Sequence, residues 1–123
     1  MGISRRGFLK VVGAGSLVKP VFGASAKLPR RPLGKTGMEV SSLAFGAGSR
    51  FLMYEEEDVA LAVLNDAIDM GITSIETAQS YGHGKSEDRV GKVMRTRRKE
   101  VVLSTKLTAR KGDEAIRALE VSL

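Results

Sequence analysis

The 123-residue sequence predicts an α/β fold in which parallel strands alternate with helices. Two observations support the prediction. Apolar, strand-like runs at residues 42–45, 72–78 and 101–107 are each followed by a stretch with helix signals. Unusual polar residues gather immediately after these runs, where parallel sheets place their functional groups. We therefore expect the candidate site at the carboxyl ends of the strands.

The composition indicates one small globular domain and excludes several kinds of site. Hydrophobic residues make up 42% of the chain and charged residues 28%, which is ordinary for a folded domain. Cysteine and tryptophan are absent. Without cysteine, a disulfide scaffold, a thiolate nucleophile and a cysteine-ligated metal are all excluded.

The net charge of +6 arises largely at the amino terminus. Residues 1–26 contain no acidic residue and four basic ones, which are Arg5, Arg6, Lys10 and Lys19. Removing those four from the 20 basic residues leaves 16 against 14 acidic residues, a balance of +2. The basic cluster at residues 95–99 has no aromatic interleaving. We therefore predict a solvated helix end there and no nucleic-acid partner.

Residues 1–26 have the layout of a cleavable export signal. A basic start precedes a short apolar run at residues 11–18, and the segment ends in the small residues Ala24-Ser25-Ala26. The apolar run is too short to span a bilayer. SRRGFLK resembles the consensus of twin-arginine (Tat) signals, which implies the Tat export machinery as a partner and a periplasmic or extracytoplasmic location. The alternative is a basic helix with incidental arginines.

The remaining elements are predicted in order, beginning with a hairpin. Residues 28–33 and 38–40 flank the turn sequence Gly34-Lys35-Thr36-Gly37. The first strand, residues 42–45, ends in Gly46-Ala47-Gly48. The first helix opens on the acidic run 55–58, which suits the positive end of a helix dipole, and Gly71 ends it.

Two further βα units follow. The second strand covers residues 72–78, and the helix after it runs over residues 86–95 with Ser86 as the predicted N-cap. The third strand covers residues 101–107. The third helix begins at Asp113 and still continues at Leu123, the last residue of the sequence.

Alternation along the strands places the polar residues on one face. Ser74 and Glu76 share a face of the second strand, and Ser104 and Lys106 share a face of the third. If these strands are neighbours, about 4.8 Å apart, Glu76 and Lys106 can form an ion pair. A buried carboxylate and a buried ammonium each need such a partner.

Three interpretations of the loop after the second strand remain open from the residues alone. Gly84-Lys85-Ser86 matches the end of a phosphate-binding P-loop, but Gln79 stands where that motif needs glycine. Alternatively, three side chains from this region could ligate a metal; they are Glu76, His83 and Glu87.

The third interpretation is proton transfer to a carbonyl. A free tyrosine has a pKa of about 10, too high for ready exchange at neutral pH, and a nearby ammonium favours the phenolate. Tyr81, Lys106 and Glu76 supply a phenol, an ammonium and a carboxylate that fixes the ammonium. Tyr81 is therefore a candidate general acid.

Four stretches of the sequence resemble the aldo-keto reductase family. LGKTGMEVSSLAFGAG resembles its amino-terminal hairpin and first strand, and GITSIETAQSYGHGKSE resembles its second-strand signature. VVLSTKL is similar to the third strand, which carries the active-site lysine, and EAIRALEVSL to the helix that follows. The similarity implies an eight-stranded (β/α)8 TIM barrel that uses NADPH (NADP) to reduce an aldehyde or ketone, with a small-molecule carbonyl compound as substrate.

The resemblance also implies roles for individual residues. Tyr81 would protonate the carbonyl oxygen, Lys106 would favour its phenolate, and Glu76 would hold Lys106. The implied cofactor-binding residues are Gly46, Ala47, Gly48 and Glu76, and no metal is implied.

Two departures from the family pattern shape the expectations. The family's carboxylate is an aspartate, and here it is Glu76. A full barrel needs about 250 residues, so residues 27–123 are expected to be the amino-terminal part of a larger enzyme, inactive alone. The competing class is a non-catalytic protein that keeps the scaffold for binding or regulation. Membrane association is expected only through an uncleaved signal.

Overall fold

The computed structural model describes residues 28–122, so the predicted export signal at residues 1–26 lies outside the described residues. The elements follow the predicted order of hairpin, β, α, β, α, β, α. They are β1 (Arg30–Pro32), β2 (Glu39–Ser41), β3 (Phe45–Gly46), α1 (Ser49–Leu52), α2 (Glu57–Asp69), β4 (Ser74–Glu76), α3 (Lys85–Arg97), a 3-10 turn (Arg98–Glu100), β5 (Val102–Ser104) and α4 (Gly112–Ser122).

The predicted hairpin is present as a separate two-stranded sheet. Strands β1 and β2 pair antiparallel, and Leu33 donates its backbone N–H to the carbonyl oxygen of Met38 at 2.8 Å. The hairpin is fixed to the chain just before β4 by two hydrogen bonds. Ser41 N–H donates to Thr73 Oγ1 at 2.8 Å, and Thr73 N–H donates to Ser41 Oγ at 2.9 Å. These bonds lie at the amino-terminal end of the sheet, away from the candidate site.

Strands β3, β4 and β5 form a parallel sheet in that order, as predicted. Gly46, Glu76 and Ser104 are aligned across it. Each strand is shorter than predicted, because β3 begins only at Phe45 and because β4 and β5 lose residues at both ends. Beyond the aligned row, one further hydrogen bond joins each pair of neighbouring strands. Ala47 N–H donates to the Glu76 carbonyl oxygen at 2.8 Å, and Thr77 N–H donates to that of Ser104 at 2.9 Å. The three strand ends are therefore level.

The two faces of this sheet differ as the alternation predicts. Ile75 is completely buried and packs with Leu64 of α2 and Val90 of α3 in the hydrophobic core. Ser74 and Glu76, on the opposite face, are half-buried. The helices therefore cover the apolar face, and the polar face is left for the site.

Two local predictions were wrong at α3. The helix begins at Lys85, and its N-cap residue is Gly84, with a φ of +91° that favours glycine. Ser86, the predicted N-cap, lies inside the first turn. Its hydroxyl is fully buried and donates to the carbonyl oxygen of Ala47 at 2.6 Å. A tertiary hydrogen bond therefore takes the side chain that a cap would use.

Other elements differ in smaller ways. Helix α1, a single turn, was not predicted, and α2 begins at Glu57 with Glu56 as its N-cap residue. Gly71 follows α2 with a φ of +99°, as a helix-ending glycine does. Within residues 28–122, no helix is long and apolar enough to cross a membrane.

We predict that Gly82 is essential for the loop between β4 and α3. Its φ is +63°, and a Cβ there would lie 3.1 Å from Leu52 Cδ1. Gly82→Ala is therefore expected to lower the free energy of unfolding by about 1–3 kcal/mol. Gly91→Ala is the control, because a Cβ on that α3 residue meets nothing within 4 Å. It is expected to raise stability by about 0.5–1 kcal/mol.

Urea denaturation of the two variants measures both effects. Equal midpoints for Gly82→Ala and the unsubstituted protein would contradict the prediction.

Candidate active site

The level strand ends bring together the three side chains predicted for proton transfer. Glu76 is the last residue of β4, and Lys106 lies two residues beyond β5. The Lys106 ammonium donates to Glu76 Oε1 and also contacts the Tyr81 hydroxyl oxygen. The Tyr81 hydroxyl donates to the same Glu76 Oε1 at 3.1 Å. A phenol, an ammonium and a carboxylate therefore contact one another directly.

Strand alternation and a tight loop explain this arrangement. Glu76 is aligned with Ser104, and Lys106 is two residues further on the same face, beside the carboxylate. Tyr81 N–H donates to the Ala78 carbonyl oxygen at 3.0 Å, which turns the chain back after β4. The Tyr81 ring then lies over the end of the sheet.

The segment Gly46-Ala47-Gly48 borders this cluster. A Cβ on Gly48 would lie 3.6 Å from Tyr81 Cε2, and one on Gly46 would lie 3.8 Å from Glu76 Oε2. Ala47 differs, because its side chain is in the core and its carbonyl oxygen accepts the Ser86 hydroxyl. Gly46 and Gly48 therefore provide the backbone surface that is free of side chains.

The charge on Lys106 is stabilised by its neighbours. Its hydrogen bond to Glu76, and secondarily its contact with Tyr81, raises the pKa of Lys106 above its ordinary value. Since an unperturbed lysine has a pKa of about 10.4, the ammonium is charged at neutral pH. The site therefore holds a positive charge beside the Tyr81 hydroxyl oxygen.

Buried polar residues behind the site were not predicted. Thr77 Oγ1 and Ser86 Oγ are hydrogen-bonded at 2.7 Å, and both residues are buried. Arg89 is 1% exposed and donates to the carbonyl oxygens of Phe51 at 3.2 Å and Tyr54 at 2.8 Å. Helical spacing offered a signal for Ser86 and Arg89, because residues three apart in a helix lie on the same side, and this side of α3 faces the core. These bonds tie the chain after β3 to α3.

The described residues do not have the geometry that a phosphate-binding loop or a metal site requires. The Ser86 hydroxyl, which a P-loop needs for a metal–phosphate ligand, is buried and bonded to Ala47. Among residues 28–122, no three His, Asp or Glu side chains cluster closely enough to hold a metal ion. His83 instead lines a cavity of about 570 Å³ between α3 and α4, which none of Tyr81, Lys106 and Glu76 borders.

A phenol, an ammonium and a carboxylate therefore meet at the strand ends of an α/β sheet. The model of the aldo/keto reductase family matches residues 42–122. The chain belongs to the aldo/keto reductase family. Its solved neighbours are aldo-keto reductase TIM barrels, and the chain is a partial α/β structure of that kind.

Individual relatives agree with this assignment. An uncharacterized oxidoreductase of Bacillus subtilis, YqkF, is 33% identical over 84 residues, covering 68% of this chain and 26% of that protein. The structure of the thermostable aldo-keto reductase Tm1743 matches with a TM-score of 0.68 and 29% identity, covering 77% of this chain and 37% of that one. An aldo-keto reductase from Klebsiella pneumoniae in complex with NADPH matches with a TM-score of 0.63 and 30% identity, covering 68% and 30%. The chain spans about a quarter of the length of the curated relatives it matches.

Proposed function

We propose that this chain belongs to an NADPH-dependent enzyme that reduces an aldehyde or ketone. The observation that carries the proposal is the direct contact of Lys106 with both Glu76 and Tyr81 at the strand ends. Membership of the aldo/keto reductase family supports the reaction class. The NADPH bound in the Klebsiella pneumoniae relative supports the cofactor.

The residues at the strand ends fit a flat cofactor ring. Gly46 and Gly48 expose backbone without side chains directly beside Glu76 and the Tyr81 ring. A Cβ at either position would occupy part of the space that a ring needs. We therefore assign the contact with the nicotinamide end of NADPH to Gly46, Ala47, Gly48 and Glu76, with Ala47 holding the segment in place.

The proposed reaction divides the work between the cofactor and three side chains. NADPH, when bound, supplies the hydride that adds to the carbonyl carbon. Tyr81 gives its hydroxyl proton to the carbonyl oxygen, which becomes the alcohol. The resulting phenolate is stabilised by the Lys106 ammonium and regains its proton from solvent. Glu76 keeps the ammonium beside the phenol oxygen.

The proposed activity belongs to a protein longer than this chain. Residues 27–123 would form the amino-terminal part of a barrel, because the chain matches only 26% of the YqkF oxidoreductase and 30% of the Klebsiella pneumoniae structure. A sheet of three strands leaves both edges open and cannot enclose a barrel core. We expect the isolated chain neither to bind NADPH tightly nor to turn over.

The test of this function uses the full-length protein. Purified enzyme is incubated with NADPH and a panel of aliphatic and aromatic aldehydes and ketones, and alcohol formation is followed together with NADPH oxidation. Stoichiometric alcohol production from at least one carbonyl compound is expected. NADPH binding without alcohol formation from any panel member would overturn the proposed activity.

We also propose that residues 1–26 direct the protein through the twin-arginine route to an extracytoplasmic location, with membrane attachment only if the signal stays uncleaved. The support is the sequence SRRGFLK followed by Ala24-Ser25-Ala26. In the double variant Arg5→Lys/Arg6→Lys, most of the protein is expected to remain in the cytoplasm on cell fractionation. The control is Arg30→Lys/Arg31→Lys, the same change at an exposed arginine pair in β1. Equal export of both double variants would contradict the route.

A further inference from the structure

The segment that carries Lys106 has left the sheet. Regular pairing of β5 ends at Ser104, whose carbonyl oxygen accepts the last hydrogen bond, from Thr77. Thr105 and Lys106 are both exposed, and the Lys106 side chain is 54% exposed. A long, flexible side chain on such a segment needs a further contact to keep its charge in one place.

Glu87, in the first turn of α3, supplies that contact. The Thr105 hydroxyl donates to Glu87 Oε1 at 2.5 Å. The second carboxylate oxygen, Oε2, accepts the Ser122 hydroxyl of α4 at 3.3 Å. Glu87 is half-buried, and its helix is packed on the core through Val90 and Val93. A rigid element therefore holds the residue that immediately precedes the lysine.

The position of Thr105 controls the direction of Lys106. Successive side chains of an extended segment point to opposite sides. Because Thr105 is held toward α3 on the helix side, Lys106 is turned to the other side, where Glu76 and Tyr81 lie. Loss of the Thr105 bond would let the segment rotate and carry the ammonium away from the phenol.

We propose that Glu87 is a positioning residue that aims Lys106 at Tyr81 through the Thr105 hydroxyl. Glu87 does not itself contact Tyr81 or Glu76, and its effect is transmitted along the backbone from residue 105 to 106. This inference rests on the proposed function, because the position of the Lys106 ammonium affects turnover only if Tyr81 is the proton donor.

The first test measures turnover in the full-length enzyme. Thr105→Val and Glu87→Ala are each expected to lower kcat by about tenfold, since both remove the charge-assisted hydrogen bond between Thr105 and Glu87. NADPH affinity and the urea midpoint are expected to stay close to those of the unsubstituted enzyme. The double variant Glu87→Ala/Thr105→Val is expected to lose no more than either single variant, because both remove the same contact.

Conservative variants provide the matched controls. Thr105→Ser keeps the hydroxyl and is expected to restore kcat, and Glu87→Gln keeps an acceptor oxygen for it. Thr96→Val makes the same change on the last turn of α3, where the hydroxyl donates to the local Val93 carbonyl oxygen. It is expected to leave kcat unchanged. Additive losses in the double variant, or equal kcat for Thr105→Val and Thr105→Ser, would overturn the proposal.

A second readout does not depend on catalysis. The rate at which Lys106 is acetylated by acetic anhydride is measured by peptide mass spectrometry. Thr105→Val and Glu87→Ala are expected to raise this rate several-fold, about in line with one lost contact, while Thr105→Ser leaves it unchanged. An unchanged rate in all three variants would overturn the positioning role. Changed acetylation in an enzyme that reduces no carbonyl compound would support the positioning role and refute only the proposed function.

Discussion

Tyr81→Phe in the full-length protein is expected to lower kcat for carbonyl reduction by about a thousandfold, the effect of losing a general acid. The substitution removes only the hydroxyl group, which contacts Lys106 and donates to Glu76. The ring, which lies against Gly48, is kept, so the surface offered to the cofactor is nearly unchanged. The Kd for NADPH, measured by calorimetry, should therefore stay close to that of the unsubstituted enzyme.

Tyr54, the other tyrosine of the sequence, provides the matched control. Tyr54 is 38% exposed, and the contact that Arg89 makes there is with its backbone carbonyl oxygen. Tyr54→Phe removes the same atom from a different place and is expected to keep nearly full turnover. Unchanged turnover in Tyr81→Phe would remove this residue from the role of proton donor.

The order of the elements and the facing of the strands could be predicted because both follow from short-range patterns. Ile75 alternates with Ser74 and Glu76, and this alternation decides which side chains enter the core. Helix α1 could not be predicted in the same way. It is a single turn, too short for a helical period, and it forms against the loop at Gly82.

The candidate site also has a part that could be predicted from the sequence and a part that could not. The contact between Glu76 and Lys106 could be predicted because strand alternation and neighbouring strands are enough to produce it. The contacts of Ser86 and Glu87 could not. Their partners, Ala47 and Thr105, lie 39 and 18 residues away in the sequence, and a serine at a helix start looks like a cap.

Glu76 stands where the resemblance to the family leads one to expect an aspartate. In this chain a single oxygen, Glu76 Oε1, accepts from both the Lys106 ammonium and the Tyr81 hydroxyl. The phenol and the ammonium therefore share one carboxylate oxygen.

Lys106→Met is the second large effect we expect, with kcat falling by about a hundredfold. Methionine has nearly the length of lysine but no charge, so the phenolate formed after proton transfer loses its positive neighbour. The contacts of the remaining pair persist, because the Tyr81 hydroxyl still donates to Glu76 at 3.1 Å. Steady-state kinetics should accordingly show a large loss in kcat and a small change in NADPH affinity.

The pH dependence of stability supplies an independent measurement. The hydrogen bond to Glu76, and then that to Tyr81, raises the pKa of Lys106 in the folded protein. A raised pKa gives stability that is complete below the unfolded value of about 10.4 and is lost as the pH rises through the folded value. The difference in urea midpoint between Lys106→Met and the unsubstituted protein should therefore exist at neutral pH and disappear at strongly alkaline pH. The difference is expected to be small, since the Lys106 side chain is 54% exposed.

Lys111→Met is the control that separates this specific contact from loss of a positive charge. The Lys111 side chain is 82% exposed, and its Nζ lies 3.8 Å from Glu114 Oε1. This surface ion pair does not include Tyr81. It is expected to keep nearly full turnover, because a solvated surface pair contributes little. If Lys111→Met and Lys106→Met lowered kcat equally, the effect would be one of net charge and not of an ammonium held beside Tyr81. A loss confined to Lys106→Met ties turnover to the ammonium that Glu76 holds against the phenol oxygen.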